Sequence, residues 1–227
     1  VKHLKAVISY QRALVKLEAG EREAAKGLAF AAHNLDPAFV PASVLAIRLV
    51  EPGRRRDKLI NEAWRQAPHP DIAEVVQGLE ENETPKDWYL RAKRLIAPLK
   101  PEHRETGLVM ARAALAAQEW GEARKYLDKV AEKDPSASVY RLLADLDEKA
   151  NADAAAARGW IIKSTEAPQD PLWICDSCGR QEPAWSATCS ACNSFDSFSW
   201  RQPDRGTLPG DVIEAEVVQE IEAPDQA

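Results

Sequence analysis

The sequence predicts an all-α protein, an array of helical hairpins, that ends in a small ribbon held by four cysteines around a metal ion. Two observations predict this fold class: prolines recur at nearly constant spacing, and all four cysteines lie in one short stretch near the C-terminus. We expect three parts, namely a helical repeat region over residues 1–168, a metal-binding ribbon over 169–202 and an acidic tail over 203–227.

Five prolines mark the repeat, and they lie 31, 33, 34 and 33 residues apart: Pro37, Pro68, Pro101, Pro135 and Pro168. In the segment that ends at Pro135, apolar and small residues recur at helical spacing on both sides of a glycine-containing turn. The proline then ends the helix, because it cannot extend one. A hairpin with a single apolar face cannot bury that face alone, so we expect neighbouring hairpins to stack.

The hairpins resemble the tetratricopeptide repeat, a unit of about 34 residues with small residues at its eighth and twentieth positions. Small side chains there let the two helices of a hairpin approach closely. Three units match, with the pairs Ala13 and Ala25, Ala111 and Ala123, and Ala144 and Ala156. The two middle units instead place Val44 and Arg56, and Gln77 and Tyr89, at these positions. We expect the middle units to be either degenerate repeats or helical hairpins that pack differently from the others.

The resemblance implies a tetratricopeptide-like solenoid whose first helices line a concave groove for a partner protein or peptide. In such proteins the fifth, ninth and twelfth residues of each unit face the groove. Among the residues at these positions are Tyr10, Leu14, Leu45, Arg48, Glu74, Arg112, Arg141 and Asp145. Their mixed chemistry indicates no particular ligand.

The cysteines form the pattern C-x2-C-x10-C-x2-C, with ligands at Cys175, Cys178, Cys189 and Cys192. Two residues between cysteines let one tight turn present both sulfurs to the same ion, and two such turns complete a tetrahedral zinc site. Gly179 and Asn193 follow the two pairs, and glycine and asparagine most readily adopt the positive φ that such turns need. We expect a closed, structural zinc site.

Three alternatives to zinc use the same cysteines. Two disulfides are typical of small, cysteine-dense secreted domains, whereas this chain has four cysteines in 227 residues. Redox catalysis by Cys-x-x-Cys uses a single pair beside a βαβ pattern. Iron stays open as the second metal, because four thiolates also bind a single iron ion.

Aromatic residues are concentrated around the cysteines: Trp173, Trp185, Phe195, Phe198 and Trp200. A ribbon this short has little interior of its own, so we expect it to pack an apolar face on the helices. The last hairpin is nearest in the sequence. We therefore expect the ribbon to dock near Trp160 and to cap the end of the array.

Charge and motifs exclude several function classes. The net charge is −6, and the six acidic residues after Gly206, where no lysine or arginine occurs, account for all of it. The balanced remainder argues against a nucleic-acid partner, which would need a basic face. The sequence has no nucleophile elbow, P-loop or H-E-x-x-H motif. We expect no enzymatic activity.

The stretch "PLWICDSCGRQEPAWSATCSACNSFDSFSWR" after the helical repeats resembles the C-terminal part of HemY-type membrane-associated tetratricopeptide proteins of proteobacteria, in the branch with a rubredoxin-like ribbon. It is similar, more distantly, to LapB-type scaffolds. The residues that carry the resemblance are Trp173-Ile174-Cys175, Pro183-Ala184-Trp185, the second cysteine pair, and Phe195-Asp196 to Trp200-Arg201.

The resemblance implies a non-catalytic scaffold on the cytoplasmic side of the bacterial inner membrane, associated with haem or porphyrin metabolism. The chain begins at Val1 in a helical pattern, so we expect a piece of a longer protein. The resemblance implies that a preceding segment anchors that protein in the membrane. Two other functions stay open: an iron-binding regulatory or electron-transfer module, and a haem or porphyrin carrier.

Overall fold

The computed structural model describes residues 1–80 and 82–203. In these residues the chain forms ten helices: α1 (Lys2–Glu18), α2 (Arg22–Leu35), α3 (Val40–Leu49), α4 (Arg54–Gln66), α5 (Pro70–Gln77), α6 (Pro85–Leu95), α7 (Arg104–Ala116), α8 (Trp120–Lys133), α9 (Ala137–Asn151) and α10 (Ala154–Glu166). Among them, none combines the length and the apolar character that crossing a bilayer requires. The predicted acidic tail lies, from residue 204 onward, outside the described residues.

The odd-numbered helices form a continuous row. Helix α1 contacts α3, α3 contacts α5, α5 contacts α7, and α7 contacts α9. Helices α2, α8 and α10 each pack on the odd-numbered helix that precedes them. We call α1, α3, α5, α7 and α9 the first-helix row, because each belongs to the first half of a predicted hairpin.

The first and fourth hairpins share one turn geometry. Gly20 follows α1 with φ of 77°, and Gln118 follows α7 with φ of 59°. The two residues lie 17 positions before Pro37 and Pro135, respectively. In both turns the backbone N–H of the next residue donates to the carbonyl oxygen five residues earlier. The sequence repeat is therefore matched by a repeat in the backbone of these two hairpins.

The hairpins that match the repeat and the middle hairpins differ in the size of the side chains buried at the small positions. The four alanines at the small positions of the first and fourth units are fully buried, Ala144 is buried and Ala156 is half-buried. Arg56, at a small position of the second unit, is buried instead and donates to Glu80 Oε1 at 2.9 Å. Trp64 on α4 is also fully buried, and its Nε1 donates to Thr106 Oγ1 on α7 at 3.0 Å. Large side chains with polar partners thus join the second hairpin to the third and to the fourth.

The ribbon contains a three-stranded antiparallel sheet. Strands β1 (Leu172–Cys175), β2 (Gln181–Glu182) and β3 (Phe198–Arg201) pair in the order β2-β1-β3. In the central strand, Trp173 lies opposite Glu182 on one side and Trp200 on the other. Trp173 and Phe198 belong to the same buried cluster as the helix side chains, so the ribbon and the helices share one core.

Candidate metal centre and ribbon contacts

The four cysteine sulfurs lie within 4.8 Å of one another. Two Sγ–Sγ distances, from Cys175 to Cys192 and from Cys178 to Cys189, are 3.7 Å. A tetrahedral zinc with Zn–S bonds of ~2.3 Å has edges of about 3.8 Å, whereas a disulfide bond measures about 2.05 Å. The four thiols are free, with Cys175 and Cys189 buried and the other two exposed. Their arrangement fits a single tetrahedral metal ion.

Two equivalent turns present the sulfurs. Gly179 N–H donates to Cys175 O at 2.8 Å, and Asn193 N–H donates to Cys189 O at 2.9 Å. The φ angles of Gly179 and Asn193 are 76° and 59°. The prediction that these two residues adopt positive φ is confirmed. Each turn folds back on itself through a backbone bond that is independent of any metal.

Serine hydroxyls lie beside two of the sulfurs, since Ser197 Oγ is 3.2 Å from Cys175 Sγ and Ser194 Oγ is 3.3 Å from Cys192 Sγ. Burial of the Cys175 thiol opposes its ionisation, but bonds from Ser197 and from the backbone lower its pKa to about 6. The bond from Ser194 lowers the pKa of Cys192. A backbone bond from Arg180 favours ionisation of Cys178, but burial and the three neighbouring sulfurs raise its pKa to about 12. The thiolate form that binds metal is therefore favoured at Cys175 and Cys192 and opposed at Cys178.

Four sulfur ligands complete a tetrahedron and leave no position for a water molecule or a substrate. Such a centre would hold two chain segments together, and with iron it could also exchange an electron. Zinc and iron both accept four thiolates in this geometry, so the sulfur positions are compatible with either metal.

Trp185 of the ribbon packs on the N-terminal part of the first-helix row. Its ring centroid lies 5.7 Å from that of Tyr10 on α1 and 4.9 Å from that of Phe39, which caps α3. Both contacts are edge-on, the geometry that aromatic pairs prefer. His3 adds a polar bridge, because its Nε2 lies 3.1 Å from Asp196 Oδ1 of the ribbon.

His69, the N-cap of α5, forms a second contact with the ribbon. Its ring centroid lies 5.4 Å from that of Trp173 and 4.1 Å from that of Trp200. Its Nδ1 accepts the backbone N–H of Asp71 at 3.1 Å, and the residue is buried. The ring therefore caps a helix on one side and packs on the two ribbon tryptophans on the other.

Asp170, in the linker before the ribbon, forms a third contact at the start of α9. Its carboxylate accepts the Ser138 backbone N–H at 3.0 Å, and the Ser138 and Ser136 hydroxyls at 2.6 and 2.9 Å. It also pairs with Arg104 at the start of α7. A carboxylate at a helix N-terminus stabilises free backbone N–H groups. The linker is thereby turned back along the first-helix row.

The prediction that the ribbon docks near Trp160 and caps the last hairpin is wrong. Trp160 stacks on Tyr140, with ring centroids 5.8 Å apart, and donates from Nε1 to Asp147 Oδ2 at 2.7 Å. Within the described part of the chain, its aromatic contacts all lie inside α9 and α10. The ribbon tryptophans instead have ring partners at the starts of α3 and α5, where Phe39 and His69 lie, and edge-on or stacked aromatic contacts there replace the expected one.

The ribbon meets several of the residues predicted for the partner groove. Tyr10 contacts Trp185. Leu14 is half-buried against the core, and Leu45 is buried within it. Arg48 and Glu74 are exposed and line a cavity of about 630 Å³ between α3, α5 and the ribbon turn at residues 183–184.

The remaining predicted groove residues lie further along the row. Arg141 and Asp145 line a second cavity, of about 520 Å³, between α9 and α10. Arg112 is exposed on α7 and lines neither of these two cavities. The structure therefore distributes the eight predicted residues over two cavities, two positions in or against the core, one contact with the ribbon and one open surface.

Comparison with known proteins gives one informative similarity. The chain matches no protein-family model. It is 29% identical over 190 residues to a protein of Magnetospirillum gryphiswaldense described as "Probable magnetosome protein Mms48". The match covers 81% of this chain and 42% of that protein, so the chain spans less than half the length of this relative.

Proposed function

We propose that the chain is a non-catalytic scaffold for protein–protein interaction. In this proposal the helices form a tetratricopeptide-like solenoid, and a structural zinc ion holds the ribbon in the shape that packs on it. The observation that carries the proposal is a four-sulfur centre with no open ligand position, directly beside tryptophans that contact the first-helix row.

The metal has a clear physical role in this proposal. The ribbon strands contain only ten residues, too few for a core of their own. In such modules the free energy of metal binding supplies most of the folding free energy. Zinc would therefore fix the turns that carry Cys175 and Cys189, and through them the tryptophans that pack on the helices.

The helical row supports the solenoid part of the proposal. Successive first helices contact one another, and two hairpins share the same turn. Stacked hairpins of this kind present an extended surface suited to another protein. The inner-membrane location on its cytoplasmic side, the anchor before Val1 and the link with haem metabolism rest on the resemblance to HemY-type proteins alone.

Site-specific photo-crosslinking in cells tests the scaffold. A photo-reactive amino acid is placed at Arg112 or Arg141 on the first-helix row, and at Lys125 on the exposed face of α8 as a matched control. We expect the two first-helix positions to capture the same protein and the control position to capture none. Equal capture from all three positions, or none from either first-helix position, would overturn the proposal.

An iron-binding electron-transfer module is the second candidate. It is favoured by the exposure of Cys178 and Cys192, which places part of the centre at the surface. Metal analysis and a visible spectrum of protein purified without oxygen, before and after exposure to air, separate the two. Zinc is colourless, whereas a ferric tetrathiolate absorbs strongly. One equivalent of zinc with no visible band supports the scaffold, and one equivalent of iron supports the alternative.

A further inference from the structure

The ribbon fills a pocket that one of the predicted partner residues, Tyr10, helps to form. The pocket, called the aromatic pocket below, consists of His3 and Tyr10 on α1 and Phe39 at the start of α3. Trp185 enters it edge-on against Tyr10 and Phe39. Tyr10 belongs to the predicted groove, so the ribbon and a partner would meet at the same side chain.

The aromatic pocket also has a polar wall. The His3 ring packs edge-on against Phe39, with centroids 5.3 Å apart. Its Nδ1 lies 2.6 Å from Asp36 Oδ2, and its Nε2 lies 3.1 Å from Asp196 Oδ1 of the ribbon. The ribbon thus supplies two groups to this pocket, an indole ring and a carboxylate.

Trp185 reaches the aromatic pocket from an exposed turn. Pro183 and Ala184 precede it, are exposed, and line the neighbouring cavity together with Arg48 and Glu74. The turn therefore lies on the surface of the helices as a bound peptide would, with one ring inserted. Aromatic side chains that enter preformed pockets are the usual anchors of protein interfaces.

We propose that the aromatic pocket is the recognition site of the scaffold, and that Trp185 and Asp196 occupy it as an internal competitor. The partner is a peptide segment that presents an aromatic side chain and a carboxylate. This inference rests on the proposed scaffold function. Because the competitor is tethered, its effective concentration is on the order of millimolar, and the apparent affinity for a partner falls with the fraction of open pocket.

A labelled peptide of residues 181–188 is the probe for the test, with full-length, metal-loaded protein and fluorescence anisotropy as the readout. We expect Trp185→Ala to bind this peptide at least about tenfold more tightly than the wild type, because the pocket is open. The matched control is Phe195→Ala, which removes a ribbon ring that is 49% exposed, and it should behave like the wild type. Adding Tyr10→Ala to Trp185→Ala should abolish the gain.

Equal peptide binding by the wild type and Trp185→Ala, no binding by either, or a gain that survives Tyr10→Ala would overturn the inference. If Trp185→Ala loses metal or helical circular dichroism, Trp185→Leu replaces it, since leucine keeps apolar volume without a ring, and the same outcomes decide. If the peptide-binding test fails but the crosslinks at Arg112 and Arg141 are retained, only the assignment of the aromatic pocket as the recognition site is refuted. If those crosslinks are not formed, the proposed scaffold function itself is refuted.

Discussion

Replacing Asp170 with alanine is expected to lower the free energy of unfolding by about 2–3 kcal/mol. Its carboxylate accepts three hydrogen bonds from Ser136 and Ser138 and pairs with Arg104. Each bond to a charged group contributes about 1.5 kcal/mol or more, but the full sum is not expected. The Asp170 side chain is 33% exposed, and Arg104 keeps ion pairs with two other carboxylates.

Urea denaturation of the metal-loaded protein, followed by tryptophan fluorescence, measures this change. Asp170→Asn keeps one acceptor oxygen but no charge, so its free energy of unfolding should fall by about half as much as that of Asp170→Ala. Asp145→Asn is the matched control on α9. It removes an exposed pair with Lys149 and should cost no more than about 0.5 kcal/mol. If Asp170→Ala falls within that control range, the proposed anchoring of the linker is refuted.

The pH dependence of the Asp170 contribution has a defined sign. Burial opposes ionisation, but bonds from Ser138 and Ser136 and the charge of Arg104 outweigh it and lower the pKa of Asp170. A carboxyl group whose folded pKa is depressed stabilises the fold fully above its unfolded pKa. The difference between the wild type and Asp170→Asn should therefore stay constant above the ordinary value of 3.8. It should shrink as the pH falls below 3.8 and be lost once the pH has fallen through the lower folded pKa.

Two further variants test the helix packing and the ribbon contact. Gly107→Ala should lower the free energy of unfolding by about 1–3 kcal/mol, because the new Cβ would clash with Val130. Gly121→Ala is the control and should not destabilise the protein, since no atom lies near its Cβ position. Equal urea midpoints for the two variants would contradict this expectation. Burial lowers the pKa of His3, but its bonds to two carboxylates raise it overall, so its contribution is complete below 6.5 and is lost as the pH rises through the folded pKa. Ribbon docking should weaken accordingly in the wild type. It is followed by the part of the tryptophan fluorescence that is lost in Trp185→Leu, and a His3→Gln variant with the same pH profile would argue against the bridge to Asp196.

The metal centre was the most predictable part of the molecule. The spacing of the cysteines and the residues after each pair depend on local backbone geometry alone, which sequence specifies directly. Gly179 and Asn193 have the expected positive φ for that reason. The sequence does not decide between zinc and iron, because both metals accept the same four sulfurs.

The helical hairpins were predictable where short side chains fix the packing, and less so elsewhere. Ala111 and Ala123 are fully buried at the expected positions. Arg56 could not be interpreted in the same way, because its burial depends on Glu80 from a later segment. Trp64 likewise depends on Thr106, which lies 42 residues away in the sequence. Such long-range polar pairs follow no helical period.

The docking position of the ribbon was missed because it depends on single residues far apart in the chain. The aromatic density around the cysteines indicated an apolar face, but it did not indicate which helices cover that face. His3, Phe39 and His69 belong to no sequence motif that predicts a contact with the ribbon. The one local signal was Asp170, an acidic residue directly before the ribbon that can cap a helix N-terminus.

Hydrogen exchange of the metal-loaded wild type against Cys175→Ser with Cys178→Ser tests the central claim most directly, that a metal-held ribbon packs on the early part of the first-helix row. Loss of the metal should free the ribbon and speed exchange in α1, at the start of α3 and in α5, while α10 keeps its protection. Faster exchange confined to α9 and α10, or unchanged exchange in α1 and α5, would contradict the account.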